Sequence, residues 1–369
     1  MKKLITFFRE NPITDVILIM AIITCFFVHP SKDYINYFDF KTLGCLYTII
    51  VVIQCLKNSN FFQYLSRKII YVFKNTRSVI VALVISTFIC DLFLANDMSL
   101  ITLLPLSCLI LTSTGNQKYL ALTLILQNIA ANMSGMITPH GNPQNLYLFS
   151  HYNIPTLEFI QILLPQFFIV LILLIIIPLV VVKKEPLELV DNEKFDIDKR
   201  KITIYLLMFA FSLAIIFRLV PYVLGMIIIT IVTLLLDKDA FKKMDWDLLL
   251  TFTAFFIFSG NVSKIPYISN ILTYMVDKNV LLTGLLSCQF ISNVPTAVLL
   301  SNFTTDYRTL LIAVNIGSLG TLVSSLASLI TLKMYLKYDK KGFGHYLLLF
   351  TVINLIFLSV LLTYTLLTN

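Results

Sequence analysis

Charge is what this chain has least of. Its 28 basic and 20 acidic residues make up only 13% of 369 positions, about half the roughly 25% typical of a soluble domain. A water-facing surface cannot be built from so few charges, which excludes a cytosolic enzyme. With 58% hydrophobic residues the chain is not disordered either. The six cysteines show no CxxC spacing and sit mostly in apolar runs. They read as buried small hydrophobes, which excludes a secreted disulfide scaffold and a thiolate metal site. Catalytic signatures are missing as well. There is no HExxH and no GxSxG, and His29, His140, His151 and His345 stand singly, so an intramembrane enzyme is not expected.

What is present is apolar length, with a mean hydropathy of +0.87. Apolar runs bounded by charge or proline fall at about 13–29, 39–56, 117–150, 157–182, 202–218, 220–236, 246–262, 309–335 and 345–366, each long enough to cross a bilayer. Two further segments, 78–113 and 281–303, are interrupted near their middles by polar clusters. They read as re-entrant hairpins, because non-helical backbone at membrane depth survives only where protein or water covers it. The expectation is an all-α polytopic membrane protein with about nine transmembrane helices and two re-entrant hairpins. The start, Met1 to Pro12, is polar and basic, and no cleavable signal is expected there. With the N-terminus in the cytoplasm and the C-terminus outside, 22 of the 28 basic residues fall in cytoplasmic segments, as the positive-inside rule requires. The net charge of +8 is then a matter of topology, and no nucleic-acid partner is implied.

The order of elements recurs. Residues 1–182 form a first repeat, 183–201 a charged cytoplasmic linker, 202–218 a spacer helix and 219–369 a second repeat. NMSGMITPHGNPQNLY and NIGSLGTLVSSLASLI align without gaps, Asn132 with Asn315, Thr138 with Thr321, Gly141 with Ser324 and Asn145 with Ser328. Four crossings plus one spacer invert the second repeat. Inverted repeats with broken helices are the architecture of secondary transporters, whose sites lie at the midplane.

Polar residues inside a bilayer mark function. The first hairpin carries Asp91 and Ala95-Asn96-Asp97, then Ser99 and Thr102; the second carries Ser287, Gln289, Ser292-Asn293 and Thr296. The broken helices carry Asn128, Asn132, Ser134 and Thr138 through Asn145 in one repeat, and Asn315, Gly317, Ser318, Gly320, Thr321, Ser324, Ser325 and Ser328 in the other. Pro139, Gly141 and Pro143 cannot continue a helix, so carbonyls and amides are freed there. Freed carbonyls suit a cation and freed amides an anion. Asp91 and Asp97 are the carboxylates well inside the membrane region, candidates for cation ligation or proton coupling; Asp97 also reads as a helix N-cap residue. His140 reads as a proton carrier, a donor to an anion, or a ring held by the broken backbone.

At these residues the chain resembles the ion transporter superfamily, which includes arsenite permeases, citrate–metal and dicarboxylate/sulfate carriers, and a family of sodium/proton antiporters. The likeness rests on LANDMSLITLLPL, NMSGMITPHGNPQNLYLF, SCQFISNVPTAVLLS and NIGSLGTLVSSLASL. It implies a homodimer with a scaffold domain and an elevator-like transport domain in the membrane lipid. It implies cation sites, for Na⁺ at the hairpin tips, formed by Asn96, Asp97 and Gly141 and by Ser292, Asn293 and Ser324. Substrate would lie between the tips against Thr138, His140, Asn142, Asn145, Thr321 and Ser328. The dicarboxylate carriers have Ser-Asn-Thr at both tips, whereas this chain has Ala95-Asn96-Asp97 and Ser292-Asn293-Val294, so proton coupling stands beside sodium coupling. Arginine is absent from the tips and broken helices, so an anion would be held by amides, hydroxyls and a co-bound cation. The expected function is a secondary active transporter for a small anion (carboxylate or oxyanion) coupled to H⁺ or Na⁺ as coupling cation, with no other cofactor and in a bacterial inner membrane. The alternative is a Na⁺/H⁺ antiporter with Asp97 as its exchange site.

Overall fold

The computed structural model describes residues 12–61, 64, 75–93, 96–186 and 198–368. Among them the chain is all helical, without strands beyond one isolated bridge between Asn75 and Pro186. The N-terminal segment, most of the amphipathic stretch at 60–75, the linker centre and Ala95 lie outside the described residues.

The first half runs α1 (Pro12–Phe27), α2 (Phe40–Asn58), α3 (Thr76–Asp91), α4 (Asn96–Ser113), α5 (Leu120–Ser134), α6 (Pro143–His151) and α7 (Thr156–Val181). The second half runs α8 (Lys199–Ile216), α9 (Tyr222–Leu236), the short α10 (Asp239–Lys243), α11 (Trp246–Lys264), α12 (Pro266–Lys278), α13 (Val280–Ile291), α14 (Asn293–Leu300), α15 (Tyr307–Ile316), α16 (Leu326–Tyr338) and α17 (Phe343–Thr368). Many of the scarce acidic and amide groups start helices. Asp39, Asn75, Asp198, Asp245, Asn279 and Asp306 each accept a backbone N–H of the turn they cap, satisfying donors that a helix start leaves open.

Five helical segments among the described residues are long and apolar enough to cross a membrane: Phe40–Asn58, Gln117–Ile137, Thr156–Val181, Trp246–Lys264 and Phe343–Thr368. The nine expected spans differ from these for a physical reason. The 117–150 and 309–335 runs are each two shorter helices with a non-helical break, and α1 and α9 are shorter helices of 16 and 15 residues. Burial orders the long segments: 94% of the most apolar window of Gln117–Ile137 is buried, against 28% for α7 and 33% for α17. The α5 segment is therefore the central post, while α7 and α17 turn Ile172, Ile176, Leu348 and Leu355 outward, as lipid-facing helices do.

The packing is reciprocal. Helix α1 packs on α11 and α2 on α9; α4 packs on α16 and α14 on α6; the α3–α4 pair embraces α5, and the α13–α14 pair embraces α15. The two pairs open at opposite ends of α7. At its C-terminal end, Arg77 at the start of α3 donates from Nε to the Val182 carbonyl at 2.7 Å, and Lys118 before α5 pairs with Glu185 at 3.1 Å. At its N-terminal end, Glu158 accepts from Tyr307 at 2.8 Å and from Arg308 at 2.7 Å, both at the start of α15. Tyr152, just before α7, donates to the Thr304 carbonyl at 2.7 Å, beyond the end of α14.

Candidate transport site

The first break begins where α5 stops at Ser134. A short 3-10 turn (Gly135–Ile137) follows, then extended backbone at Thr138, and α6 starts with Pro143 at its first turn, where a missing N–H does no harm. Side chains of the segment take up the carbonyls that the break frees. Asn145 Nδ2 donates to Gly135 O and Met136 O at 3.2 Å each, and Asn142 Nδ2 donates to Asn132 O at 2.8 Å. Gly141 lies so close to Gly135 that a Cβ on Gly141 would overlap the Gly135 Cα and carbonyl oxygen, so glycine is required there.

Asn132 is the hub that ties this break to the rest. Its Oδ1 accepts from Asn96 Nδ2 at the start of α4 and from Ser325 Oγ, the residue before α16, at 2.7 Å each. Its Nδ2 donates to Asn128 Oδ1 at 3.3 Å, and Asn128 Nδ2 donates to Ser328 Oγ at 3.1 Å. Asn315 Nδ2, at the end of α15, donates to Asn145 Oδ1 at 2.7 Å. One buried chain of amides and hydroxyls thus joins both broken helices to the first helix pair.

Asp91 ends α3 and is fully buried. Ser99 Oγ donates to its Oδ1 at 3.1 Å and Ser134 Oγ to its Oδ2 at 2.9 Å. Asn96 Oδ1, Thr138 Oγ1, His140 Nδ1 and Asn142 Oδ1 are buried without a hydrogen-bond partner among the described residues, each costing on the order of 1–3 kcal/mol if nothing else satisfies it.

The second break is closed by its own side chains. Gln289 of α13 donates from Nε2 to Gly317 O at 2.9 Å and Leu319 O at 3.0 Å, while its Oε1 accepts from Thr321 N at 2.9 Å. Gly320 has φ +122, and a Cβ there would strike Gln289 Oε1, so this position also demands glycine. The α13–α14 turn is the single residue Ser292, at φ 72. That conformation is strained for serine, and it is tethered by Asn293 N and Ser292 Oγ donating to Ser324 O at 3.0 and 3.3 Å. Ser324 Oγ donates in turn to Ser318 O at 2.7 Å.

Most of the sequence-derived residues therefore meet, in two unequal clusters. Asn96, Gly141, Asn142, Asn145 and Thr138 gather around the first break with Asp91, and Ser328 is linked to them through Asn128. Ser292, Asn293, Ser324 and Thr321 gather around the second. Asp97 is the second residue of α4, and its side chain lies outside the described residues. His140 sits apart from the amide chain: Nε2 is 3.2 Å from Leu92 O and the ring meets Phe209 and Phe217 edge-on. Sequence reasoning named Asn128, Asn132, Ser134, Asn315 and Gln289 as intramembrane polar residues without giving them a role. The ungapped pairing of Asn132 with Asn315 was the available signal, since both close their helices at a break. A cavity of about 220 Å³, lined among others by Asp39, Tyr147, His151, Ser259 and Asn302, opens where α6, α11 and α14 meet.

Comparisons with known proteins place the chain among transporters. Residues 4–307 match the model of the citrate transporter family CitMHS. The chain is 32% identical over 327 residues to an uncharacterized transporter from Methanocaldococcus jannaschii, covering 88% of this chain and 89% of that one. It is 26% identical over 329 residues to the inner membrane protein YbiR from Escherichia coli, covering 87% of each. An all-helical, multi-pass chain matched over most of its length in this way is a membrane transporter, and it belongs to the citrate transporter family.

Proposed function

We propose that the chain is a secondary active transporter of a small anion, a carboxylate in preference to an oxyanion, driven by Na⁺ or H⁺. The observation that carries this reading is the buried chain of amides and hydroxyls linking the two breaks, Asn96–Asn132–Asn128–Ser328 with Ser325, and beside it the separate Asn145–Asn315 pair. Irregular backbone and polar side chains at membrane depth are stable where they line a binding site. The family's description supports the carboxylate. The cavity where α6, α11 and α14 meet carries Asp39 on its wall, which disfavours it as the seat of an anion.

The inverted-repeat reading is supported by the reciprocal packing of the helices and by hairpins that open at opposite ends of α7. With it come two re-entrant hairpins, a cytoplasmic N-terminus, an elevator-like movement of the hairpins and breaks against a scaffold of α1, α2, α8, α9 and α11, and a homodimer held by the scaffold. Thr138, Asn142, Asn145, Thr321 and Ser328 are the substrate-side residues of this proposal, and His140 positions the first break. In it Thr138 meets the anion directly, because its buried hydroxyl has no partner among the described residues and can donate.

The test is uptake into proteoliposomes that enclose a pH dye. A labelled citrate, a dicarboxylate and an oxyanion are supplied in turn, with an inward Na⁺ or proton gradient. Gradient-dependent uptake of a carboxylate is the expected outcome. A proton flux on a Na⁺ jump with no anion present would overturn the proposal in favour of cation/proton exchange.

A further inference from the structure

A row of aromatic rings runs along the cavity of about 220 Å³ where α6, α11 and α14 meet the loop between α1 and α2. Phe38 meets Phe256 edge-on with ring centroids 6.2 Å apart, Phe256 meets Tyr147 at 5.7 Å, and Tyr147 stacks on His151 at 5.2 Å. Asp39 follows Phe38 and lines the same cavity. Its oxygens accept from Thr42 N at 3.0 Å and from Thr42 Oγ1 at 2.7 Å. These bonds satisfy the start of α2 and leave the charge of the carboxylate unmatched. Among the described residues no lysine or arginine pairs with Asp39, and none lines the cavity. Tyr37 Oη, also at this wall, is buried without a partner among the described residues. The Tyr37 ring already attracts a cation, since Lys264 Nζ lies 5.0 Å from its centroid. The exposed residues of the lining, Asn36, His151 and Asn302, are polar, so a ligand enters from water.

The geometry points to a binding site for a small soluble organic cation, an ammonium carrying alkyl groups, held by the charge of Asp39 and the rings of Phe38, Phe256 and Tyr147. An acid beside aromatic rings matches both the charge and the apolar shell of such an ion. An anion is opposed by Asp39. A metal ion asks for a shell of oxygens, and several oxygens here are engaged. Ser259 Oγ donates to Val298 O at 2.9 Å and accepts from Asn302 Nδ2 at 2.8 Å, and Ser263 Oγ donates to Gly260 O at 2.8 Å. With a water taking about 30 Å³, a cavity of about 220 Å³ has space for an ammonium with several methyl groups. The walls come from both sides of the proposed transport movement: the α1–α2 loop and α11 from the scaffold, α6 and α14 from the moving part. A cation seated between them ties the two together and slows transport. That consequence, unlike the binding itself, rests on the transporter reading.

The experiment is a titration of the purified full-length protein in a maltoside detergent with tetramethylammonium chloride, at about pH 8, where a histidine of ordinary pKa is neutral. Equal concentrations of potassium chloride and of tert-butanol, a neutral molecule of similar shape, are the controls. Thermal unfolding and calorimetry are the readouts, so the result does not depend on any anion being transported. Saturable binding of tetramethylammonium with a stoichiometry near one and a matching rise in Tm are expected, with neither control reproducing them. Asp39→Asn keeps an oxygen to cap α2 and should weaken binding at least tenfold. Phe38→Leu removes a ring from the half-buried end of the row and should weaken it severalfold, while Phe38→Tyr should retain it. Wild-type affinity in both Asp39→Asn and Phe38→Leu would overturn the site. An equal response to tert-butanol would overturn the cation in favour of a neutral guest. A response to lysophosphatidylethanolamine but not to tetramethylammonium would overturn the soluble ligand in favour of a lipid head. In proteoliposomes, tetramethylammonium should lower the initial rate of carboxylate uptake by the wild type and not by Asp39→Asn. Uptake unchanged by a cation that binds would overturn the tie between scaffold and moving helices. Failure of carboxylate uptake under every gradient, with binding intact, would instead count against the proposed function alone.

Discussion

At the scale of single residues, His140 shows how a side chain suggestive in sequence is used by the fold. Its ring is wedged between Phe209 and Phe217, with Nε2 on the Leu92 carbonyl at 3.2 Å. Leu92 ends the first arm of the helix pair, so the contact pins that turn to the break at Pro139–Pro143. A ring held this way has a positioning role. His140→Phe keeps the aromatic packing and removes the partner of one carbonyl, which costs about 1–3 kcal/mol. The expected outcome is a lower Tm with the KM for the anion and the pH profile of uptake unchanged. A KM raised more than tenfold at constant maximal rate would instead make His140 an anion ligand.

At the scale of elements, each half's break is held together partly by the other. Asn145 in α6 spans Gly135 O and Met136 O and also accepts from Asn315 in α15. Removing either amide leaves buried groups without partners, so Asn145→Ala and Asn315→Ala should each destabilise the protein by about 1–3 kcal/mol. Because the two share one bond, the double variant should cost less than the sum by about 1 kcal/mol. Unfolding in mixed micelles measures the cycle, and strict additivity would mean that the two breaks are independent. The first break was legible in sequence, since Pro139, Gly141 and Pro143 forbid a continuous helix whatever surrounds them, and the second through its ungapped alignment with the first. So were the polar middles of 78–113 and 281–303, inside which α3 gives way to α4 and α13 to α14. What could not be read was which oxygens face one another. Asp91 and Asn142 are 51 positions apart, and they meet because α3 packs along α5 and two glycines let the backbone of the break close up. The role of Gln289 was hidden for the same reason, since its partners Gly317, Leu319 and Thr321 are about 30 residues away.

At the scale of the whole molecule, α7 is a ruler. Its 26 residues measure about 39 Å at 1.5 Å per residue, enough to cross the hydrocarbon core with some tilt. The α3–α4 pair opens beside its C-terminal end, where Lys118 and Glu185 meet, and α15 starts beside its N-terminal end, where Arg308 and Glu158 meet. If α7 crosses the bilayer, the two ion pairs lie in different compartments. Lys118 and Arg308 are both well exposed, with side-chain accessibilities of 55% and 63%. A cysteine at either place would therefore meet a reagent from its own side, and losing an exposed ion pair costs less than about 1 kcal/mol. Of the native thiols, Cys25 is half-buried and the other five are buried, so Cys25→Ser gives a quiet background. In that background, a membrane-impermeant maleimide added to intact cells should label Arg308→Cys, and Lys118→Cys only after permeabilisation. The reverse pattern would keep the opposed hairpins but turn the whole protein over. Labelling of both from one side would mean that α7 does not span, and the inverted architecture would fall with it. The basic residues argue for the first result: Lys118 shares its end of α7 with Arg77, Lys183 and Lys184, while few basic residues accompany Arg308, and such an imbalance holds a segment on the cytoplasmic side during insertion.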